Sequence, residues 1–336
     1  MPDVLVEDGV RIHYEVFGNR NGPPLLMIQG LGTDSRGWAI QRLSLGRKFR
    51  CFAVDNRGTG KSDRPSGPYQ MERMAADAIA VLDAEQVETA HIMGASMGGV
   101  ISQVIGVVAP ERTRSLVLAC TACRHHRWRR ELLSDWAHTV AHRDMSALGE
   151  QALPWLVGPR LHRRFGMWLN LLSRIVLSGE SAPFISQVEG ILMMEDTFSV
   201  ELAKIAVPTL AITGSQDLLT PVGDAEEIVE RIPGAQLAVI PGAAHGLMVE
   251  APTVFNRTIL EFLLRAEELF QQKPPTLVPA IRAESFVQRA TQLESRVAAR
   301  LHAQAPDKGP KKKVVSPPKT ATRRPVQRSR STSAST

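Results

Sequence analysis

Three short stretches carry residues whose types and spacing suit acyl transfer. The first is Gly94-Ala-Ser96-Met-Gly98-Gly99, a G-x-S-x-G spacing between a strand-like run (Ala90 to Met93) and a helix-like run that reaches Ala109. The flanking glycines leave room for a cramped backbone at Ser96, and the helix N-terminus presents free N–H groups to developing negative charge. A serine hydroxyl is a weak nucleophile, so it needs a base, oriented in turn by an acid. Gly214-Ser-Gln-Asp217-Leu-Leu-Thr-Pro221 follows an apolar run at Val207 to Thr213, and Gly242-Ala-Ala-His245-Gly246 follows another at Leu237 to Ile240. Sites in open α/β sheets form outside the carboxyl ends of strands. Ser96, Asp217 and His245 each stand just past such an end, in the order Ser, acid, His. Asp224 and Asp196 are competing acids, but Asp224 reads as a helix start and Asp196 lies in a helical stretch, which favours Asp217.

The elements that must position these residues alternate. Val4 to Gly18 reads as a hairpin turning at Asp8-Gly9, followed by a buried strand at Pro24 to Gly30, a helix at Ser35 to Arg47 and a strand at Phe49 to Asp55. A helix at Met71 to Glu85 and a strand at Ser115 to Cys120 flank the serine turn. Strands alternating with helices predict a mainly parallel central sheet covered on both faces. From Ala122 to about Val200 strand signals vanish, and an all-helical insertion is expected. Alternation then resumes, with a helix at Asp224 to Arg231 and a long one from about Ala251 to Gln271.

Composition bounds the function classes. At 336 residues and 43% hydrophobic the chain can build a large core, expected over residues 1–271 with the helical insertion at about 122–200. Cys51, Cys120 and Cys123 are too few for a disulfide framework and read as buried thiols; the C-x-x-C spacing lacks a second ligand pair. The first residues show no basic start or apolar core of a leader, and no run approaches the roughly 18 apolar residues of a span, so a cytoplasmic protein is expected. Residues 272–304 read as a linker and an amphipathic helix, with Phe286, Ala290, Leu293, Val297 and Leu301 in one stripe that would dock on the body, a partner or a membrane surface. In residues 305–336, nine basic residues against Asp307 give +8 in a chain of net +6, leaving the remainder near −2. This tail is expected to be disordered and suited to an anionic membrane surface. It has no aromatics for base stacking, which argues against nucleic acid.

With these residues in view, the chain resembles the α/β-hydrolase fold family, in particular its esterase, lactonase and cofactor-free haloperoxidase-like members, over about residues 3–271. Asp55-Asn-Arg57-Gly58-Thr-Gly60-Lys-Ser62 resembles the family's D-x-R-G-x-G-x-S loop, and Gly214 to Pro221 its acid-bearing turn. The resemblance implies a mostly parallel sheet with a helical cap, Ser96 as nucleophile, His245 as base and Asp217 as orienting acid. It also implies an oxyanion hole from the backbone N–H groups of Leu31 and Met97. The family's usual His-Gly is here Gln29-Gly30, so Gln29 would have to brace the oxyanion loop. A small-molecule ester with an apolar portion is the implied substrate, and no cofactor or metal is called for. Trp128, Trp136, Trp155, Leu156, Phe165, Trp168 and Leu169 are candidates to line the cap side or to pack the cap on itself. The same constellation serves lactones, thioesters and peracid formation, and an interaction protein acting through its tail is the non-enzyme alternative. Nucleotide loops are excluded: Gly60-Lys61-Ser62 has Asp55 where a phosphate loop needs glycine, and Gly30-Leu31-Gly32 is followed by Ser35 instead of glycine. His91 reads as structural, and His125-His126 as a solvated helix face without carboxylate partners.

Overall fold

Leu25, Leu26, Met27 and Ile28 are each 0% exposed, as a continuous apolar run requires when both faces of its strand are covered. The computed structural model, which describes residues 2–159, 161–163, 180–272 and 282–304, sets this strand within an eight-stranded sheet. In chain order the strands are β1 (Asp3–Leu5), β2 (Arg11–Gly18), β3 (Pro24–Ile28), β4 (Arg50–Val54), β5 (Ala90–Ala95), β6 (Thr113–Ala119), β7 (Thr209–Gly214) and β8 (Gln236–Ile240). Across the sheet they run β1-β2-β4-β3-β5-β6-β7-β8. The β1–β2 and β2–β4 pairs are antiparallel, and the rest are parallel.

Helices cover both faces. They are α1 (Arg42–Gly46), α2 (Met71–Ala84), α3 (Met97–Val108), α4 (Arg127–His142), α5 (Met145–Leu156), α6 (Ser181–Met193), α7 (Val222–Arg231), α8 (Leu247–Glu250), α9 (Pro252–Gln272) and α10 (Ala283–Gln304). Side chains alternate across a strand, so β3 feeds two cores. Leu26 and Ile28 join Ile79, Ile101 and Val104 of α2 and α3, whereas Leu25 and Met27 join Trp38, Phe49, Phe255 and Ile259 on the opposite side.

The expected helix at Ser35 to Arg47 is instead a 3-10 turn, Ser35–Trp38, followed by the short α1. Asp34 caps that turn through the Arg36 N–H. A Cβ on Gly37 would stand 2.5 Å from Gln29 Nε2, so the chain folds around the Gln29 side chain. The insertion is helical where described: α4, α5, α6 and a 3-10 stretch, Asp196–Lys204. Phe165, Trp168 and Leu169 lie outside the described residues. Of the three surfaces open to the α10 stripe, the body takes Phe286, Ala290, Leu293 and Val297, whereas the Leu301 side chain lies outside the described residues. Phe286 (0% exposed) and Ala290 join the core beside α2, and Asp83 accepts the Ala283 N–H at 3.0 Å. The tail, 305–336, lies outside the described residues, and among those described no helix is long and apolar enough to cross a membrane.

Candidate active site

At the end of β5 the chain reverses into α3 within one residue. Ser96 takes φ 53° and ψ −119°, a left-handed backbone that a side chain makes unfavourable by about 1–3 kcal/mol unless its surroundings fix it. They do so from three sides: the Ser96 N–H donates to Ala119 C=O at 2.9 Å, and its C=O accepts the Gly99 N–H at 2.8 Å and the Thr121 hydroxyl at 2.7 Å. The flanking glycines are required by close approach, since a Cβ on Gly94 would fall 2.0 Å from Gly98 O and one on Gly98 2.2 Å from Ile28 O. Ser96 thereby occupies the N-cap position of α3 with its hydroxyl free of the backbone.

The loops after β7 and β8 bring the other two residues to it. His245 Nε2 stands 3.1 Å from Ser96 Oγ, and Nδ1 stands 2.9 Å from Asp217 Oδ2. Asp217 Oδ1 accepts the N–H groups of Leu219 at 2.9 Å and Thr220 at 2.8 Å, and Oδ2 accepts the Thr220 hydroxyl at 2.8 Å. Burial pushes the Asp217 pKa up, but His245 and the Thr220 donors outweigh burial and hold the carboxyl below its ordinary value. The ionised carboxylate fixes the imidazole with its proton on Nδ1, so that Nε2 faces the Ser96 hydroxyl as an acceptor. The competing acids are engaged elsewhere: Asp224 pairs with Arg129, and Asp196 accepts the His125 N–H at 3.2 Å.

The residues named for the oxyanion loop converge here too. Leu31 and Met97 line the same cavity as Ser96 and His245, and a Cβ on Gly30 would come within 3.0 Å of Ser96 Cβ. Gln29 Oε1 accepts the Gly30 N–H at 3.3 Å and the Thr33 hydroxyl at 3.4 Å, and Asn56 holds the Gln29 C=O at 2.9 Å. The Gln29 carboxamide thus contacts the loop that carries Leu31 at Gly30 and Thr33. The cap contributes as well. Gln187 Oε1 accepts the Gly32 N–H at 2.9 Å, and Leu156 C=O accepts the Gly246 N–H at 2.8 Å.

The cavity measures about 280 Å³ and is walled mainly by apolar side chains, among them Val100, Leu133, Leu148, Leu156, Phe184 and Ile191. Trp136 and Leu156 line it, whereas Trp128 stacks on Trp155 with ring centroids 6.0 Å apart. Thr220 and Gln187 escaped the sequence reading. Thr220 sits inside the Gly214 to Pro221 turn and was traceable there, but nothing local marks Gln187, which stands between Ser186 and Val188.

Two expectations need correction. His125 is buried at 7% exposure and lines the cavity, so it is not a solvated residue; the cap folds over it. His126 does have carboxylate neighbours, for it gathers with Asp224 and Glu227 with ligand atoms within 4.8 Å. Those acids already pair with arginines, Asp224 with Arg129, and Glu227 with Arg124 at 2.9 Å and Arg231 at 2.7 Å. A dication would have to displace guanidinium groups, and the set does not fit one. The free thiols of Cys51, Cys120 and Cys123 are buried, and burial pushes those of Cys51 and Cys123 up to about 12. His91 is structural: Nδ1 meets Ser115 Oγ at 2.7 Å and Nε2 meets Glu267 at 2.9 Å.

A family model for the alpha/beta hydrolase fold matches residues 23–252. The chain belongs to the α/β-hydrolase fold family. It is 29% identical over 260 residues to 3-oxoadipate enol-lactonase 2 of Acinetobacter baylyi, covering 76% of this chain and 94% of that protein. Among solved structures, the enol-lactonase of Burkholderia xenovorans LB400 superposes with a TM-score of 0.73 at 28% identity, covering 78% of this chain and 100% of that one. A thermophilic esterase from Thermogutta terrifontis superposes with a TM-score of 0.72 at 25% identity, covering 79% and 98%. This α/β-hydrolase is a hydrolase by kinship, and its cavity lies at the rim where the family's fold gathers the ends of its parallel strands.

Proposed function

We propose that the protein hydrolyses carboxylic esters through an acyl-enzyme, with Ser96 as nucleophile, His245 as base and then acid, and Asp217 as the carboxylate that orients it. Ser96 Oγ attacks the carbonyl carbon while His245 Nε2 takes its proton, and the oxyanion rests on the N–H groups of Leu31 and Met97. Collapse breaks the bond to the alcohol oxygen, which leaves with the proton from His245. A water then repeats the attack under the same base, releasing the acid and restoring Ser96. Backbone donors of this kind each lower the barrier by about 2.7–4 kcal/mol.

The observation that carries this reading is the continuous pair of contacts, 2.9 Å and 3.1 Å, linking Asp217, His245 and Ser96 at the floor of an apolar cavity. Such a cavity suits an ester with an apolar acyl or alcohol portion. Cyclic esters are the second reading, favoured by the enol-lactonases among its relatives. The test is Ser96→Ala, which should lower kcat by about a thousandfold or more, together with a fluorophosphonate whose mass should add to Ser96. Undiminished turnover in that variant, or labelling at another residue, would refute the assignment. Comparing open-chain esters with five- and six-membered lactones separates the two substrate shapes.

A further inference from the structure

The third glycine of the serine turn has a different neighbour from the other two. Gly94 and Gly98 clear backbone, whereas a Cβ on Gly99 would fall 2.6 Å from Thr121 Cβ and 2.7 Å from Thr121 Oγ1. Gly99 thus lets a side chain from the loop after β6 come down onto the first turn of α3. That loop is itself held. Cys120 adopts φ 41° with its N–H on Ile212 C=O at 2.8 Å, and Gln103 Nε2 donates to Gly99 C=O at 3.2 Å and to Ala122 C=O at 3.1 Å. Between these anchors Thr121 is buried, and its hydroxyl donates to Ser96 C=O at 2.7 Å.

The Ser96 carbonyl belongs to a planar trans amide whose other end is the Met97 N–H. In such a unit the C=O and N–H point in opposite directions, so whatever fixes the carbonyl also fixes the direction of the N–H. Met97 is the first residue of α3, and an N–H in a first turn has no partner within its own helix. The Ser96 C=O accepts the Gly99 N–H at 2.8 Å and the Val100 N–H at 3.3 Å, the bonds of a helix start. The Thr121 hydroxyl is added to these from outside α3. A hydrogen bond on a carbonyl polarises the amide that carries it, which makes the N–H a better donor.

We propose that Thr121 is a positioning residue for the oxyanion: acting through the Ser96–Met97 peptide, its hydroxyl aims the Met97 N–H at the charge that develops on the substrate and strengthens it as a donor. This role depends on the esterase reading, which makes Met97 an oxyanion donor. The path of the proton is separate, since Ser96 Oγ keeps its own contact with His245 Nε2 at 3.1 Å. Loss of the hydroxyl should accordingly raise the energy of the transition state and leave substrate binding alone. Thr121 also lines the cavity, and a direct contact with substrate would show in KM instead.

The test uses Thr121→Ala, which deletes the hydroxyl, Thr121→Val, which keeps the branched shape without it, and Thr121→Ser, which keeps the hydroxyl. On p-nitrophenyl butyrate the Ala and Val variants should lose about tenfold in kcat with KM within about twofold of wild type, and the Ser variant should stay within about threefold. Either loss variant carries the comparison if calorimetric melting shows the other to be unfolded. A trifluoromethyl ketone reports the donor directly: Ser96 Oγ adds to its carbonyl carbon, His245 takes the proton, and the carbonyl oxygen becomes the oxyanion. It should bind Thr121→Ala about tenfold more weakly, in step with kcat/KM. Wild-type kcat in Thr121→Ala, a loss confined to KM, or a Thr121→Ser protein as slow as Thr121→Ala overturns the proposal. A fluorophosphonate separates it from the esterase reading. Wild type labelled at Ser96 but inert toward esters would sink that reading alone; labelling about tenfold slower in Thr121→Ala would then support the role of Thr121, and equal rates would overturn it. Wild type unlabelled at Ser96 would sink both.

Discussion

Gln187 offers a severe test of how the cap reaches the chemistry. Its side chain is 0% exposed and bridges two loops: Oε1 accepts the Gly32 N–H at 2.9 Å, and Nε2 donates to the Arg57 C=O at 3.1 Å. Arg57 is itself pinned by Asp77, at 2.6 and 2.8 Å, and by Asp8 at 3.0 Å. Gly32, at φ +67°, directly follows the proposed oxyanion donor Leu31. Gln187→Met keeps most of the volume and strips both backbone groups of their partners. Each buried orphan costs about 1–3 kcal/mol, so stability should fall by about 2 kcal/mol or more. In a domain of this size that is a Tm drop of about 4 °C or more. If the freed loop weakens the Leu31 donor by half of its worth of about 3 kcal/mol, kcat drops about tenfold with KM nearly unchanged. Gln187→Glu keeps an acceptor for Gly32 but sets a carboxylate against the Arg57 C=O, so kcat should recover more than Tm does. The measurements are calorimetric melting and steady-state kinetics on a water-soluble ester. A Gln187→Met protein with wild-type Tm and kcat would refute the bridging argument, and a change confined to KM would refute its link to the oxyanion loop.

Two further outcomes follow from the packing outside the site. Burial raises the Glu267 pKa, but His91, Gln271 and Arg114 outweigh it and bring the group from 4.5 down to about 2. Its stabilisation is therefore present above the ordinary value and lost as pH falls toward the folded one. In urea unfolding, Glu267→Gln should be less stable than wild type near pH 6, and the gap should narrow as the pH falls from 4.5 toward 2; a gap independent of pH would contradict this. Phe286, fully buried in the main core, should cost about 3–5 kcal/mol when cut to alanine. Unchanged unfolding free energy would mean that α10 does not dock in solution.

Much of the site was legible because each part of it is a local signal. The serine turn needs glycines at fixed offsets, which the contacts at Gly94 and Gly98 explain, and the acid and the base each follow an apolar run that forms a strand, buried at β7 and largely exposed at the edge strand β8. What escaped was long-range. Gln187 reaches Gly32 across 155 positions, and no local pattern announces such a partner. His125 looked solvated because its neighbours are charged, yet Arg129 and Arg130 turn inward to backbone carbonyls and carry it into the wall. The helix read at Ser35 to Arg47 broke for a similar reason: the space that Gln29 fills beside Gly37 is invisible in a propensity pattern.

The sequence by itself determined the alternation of strand and helix, the rim on which Ser96, Asp217 and His245 must emerge, and the order in which they do so, because periodicity and turn chemistry act within a few residues of one another. Only the tertiary structure decided that Asp217 and not Asp224 meets the imidazole, that the described part of the α10 stripe is spent on the body, and that the cap closes over an apolar cavity. Those outcomes depend on which surfaces and charges meet across the fold.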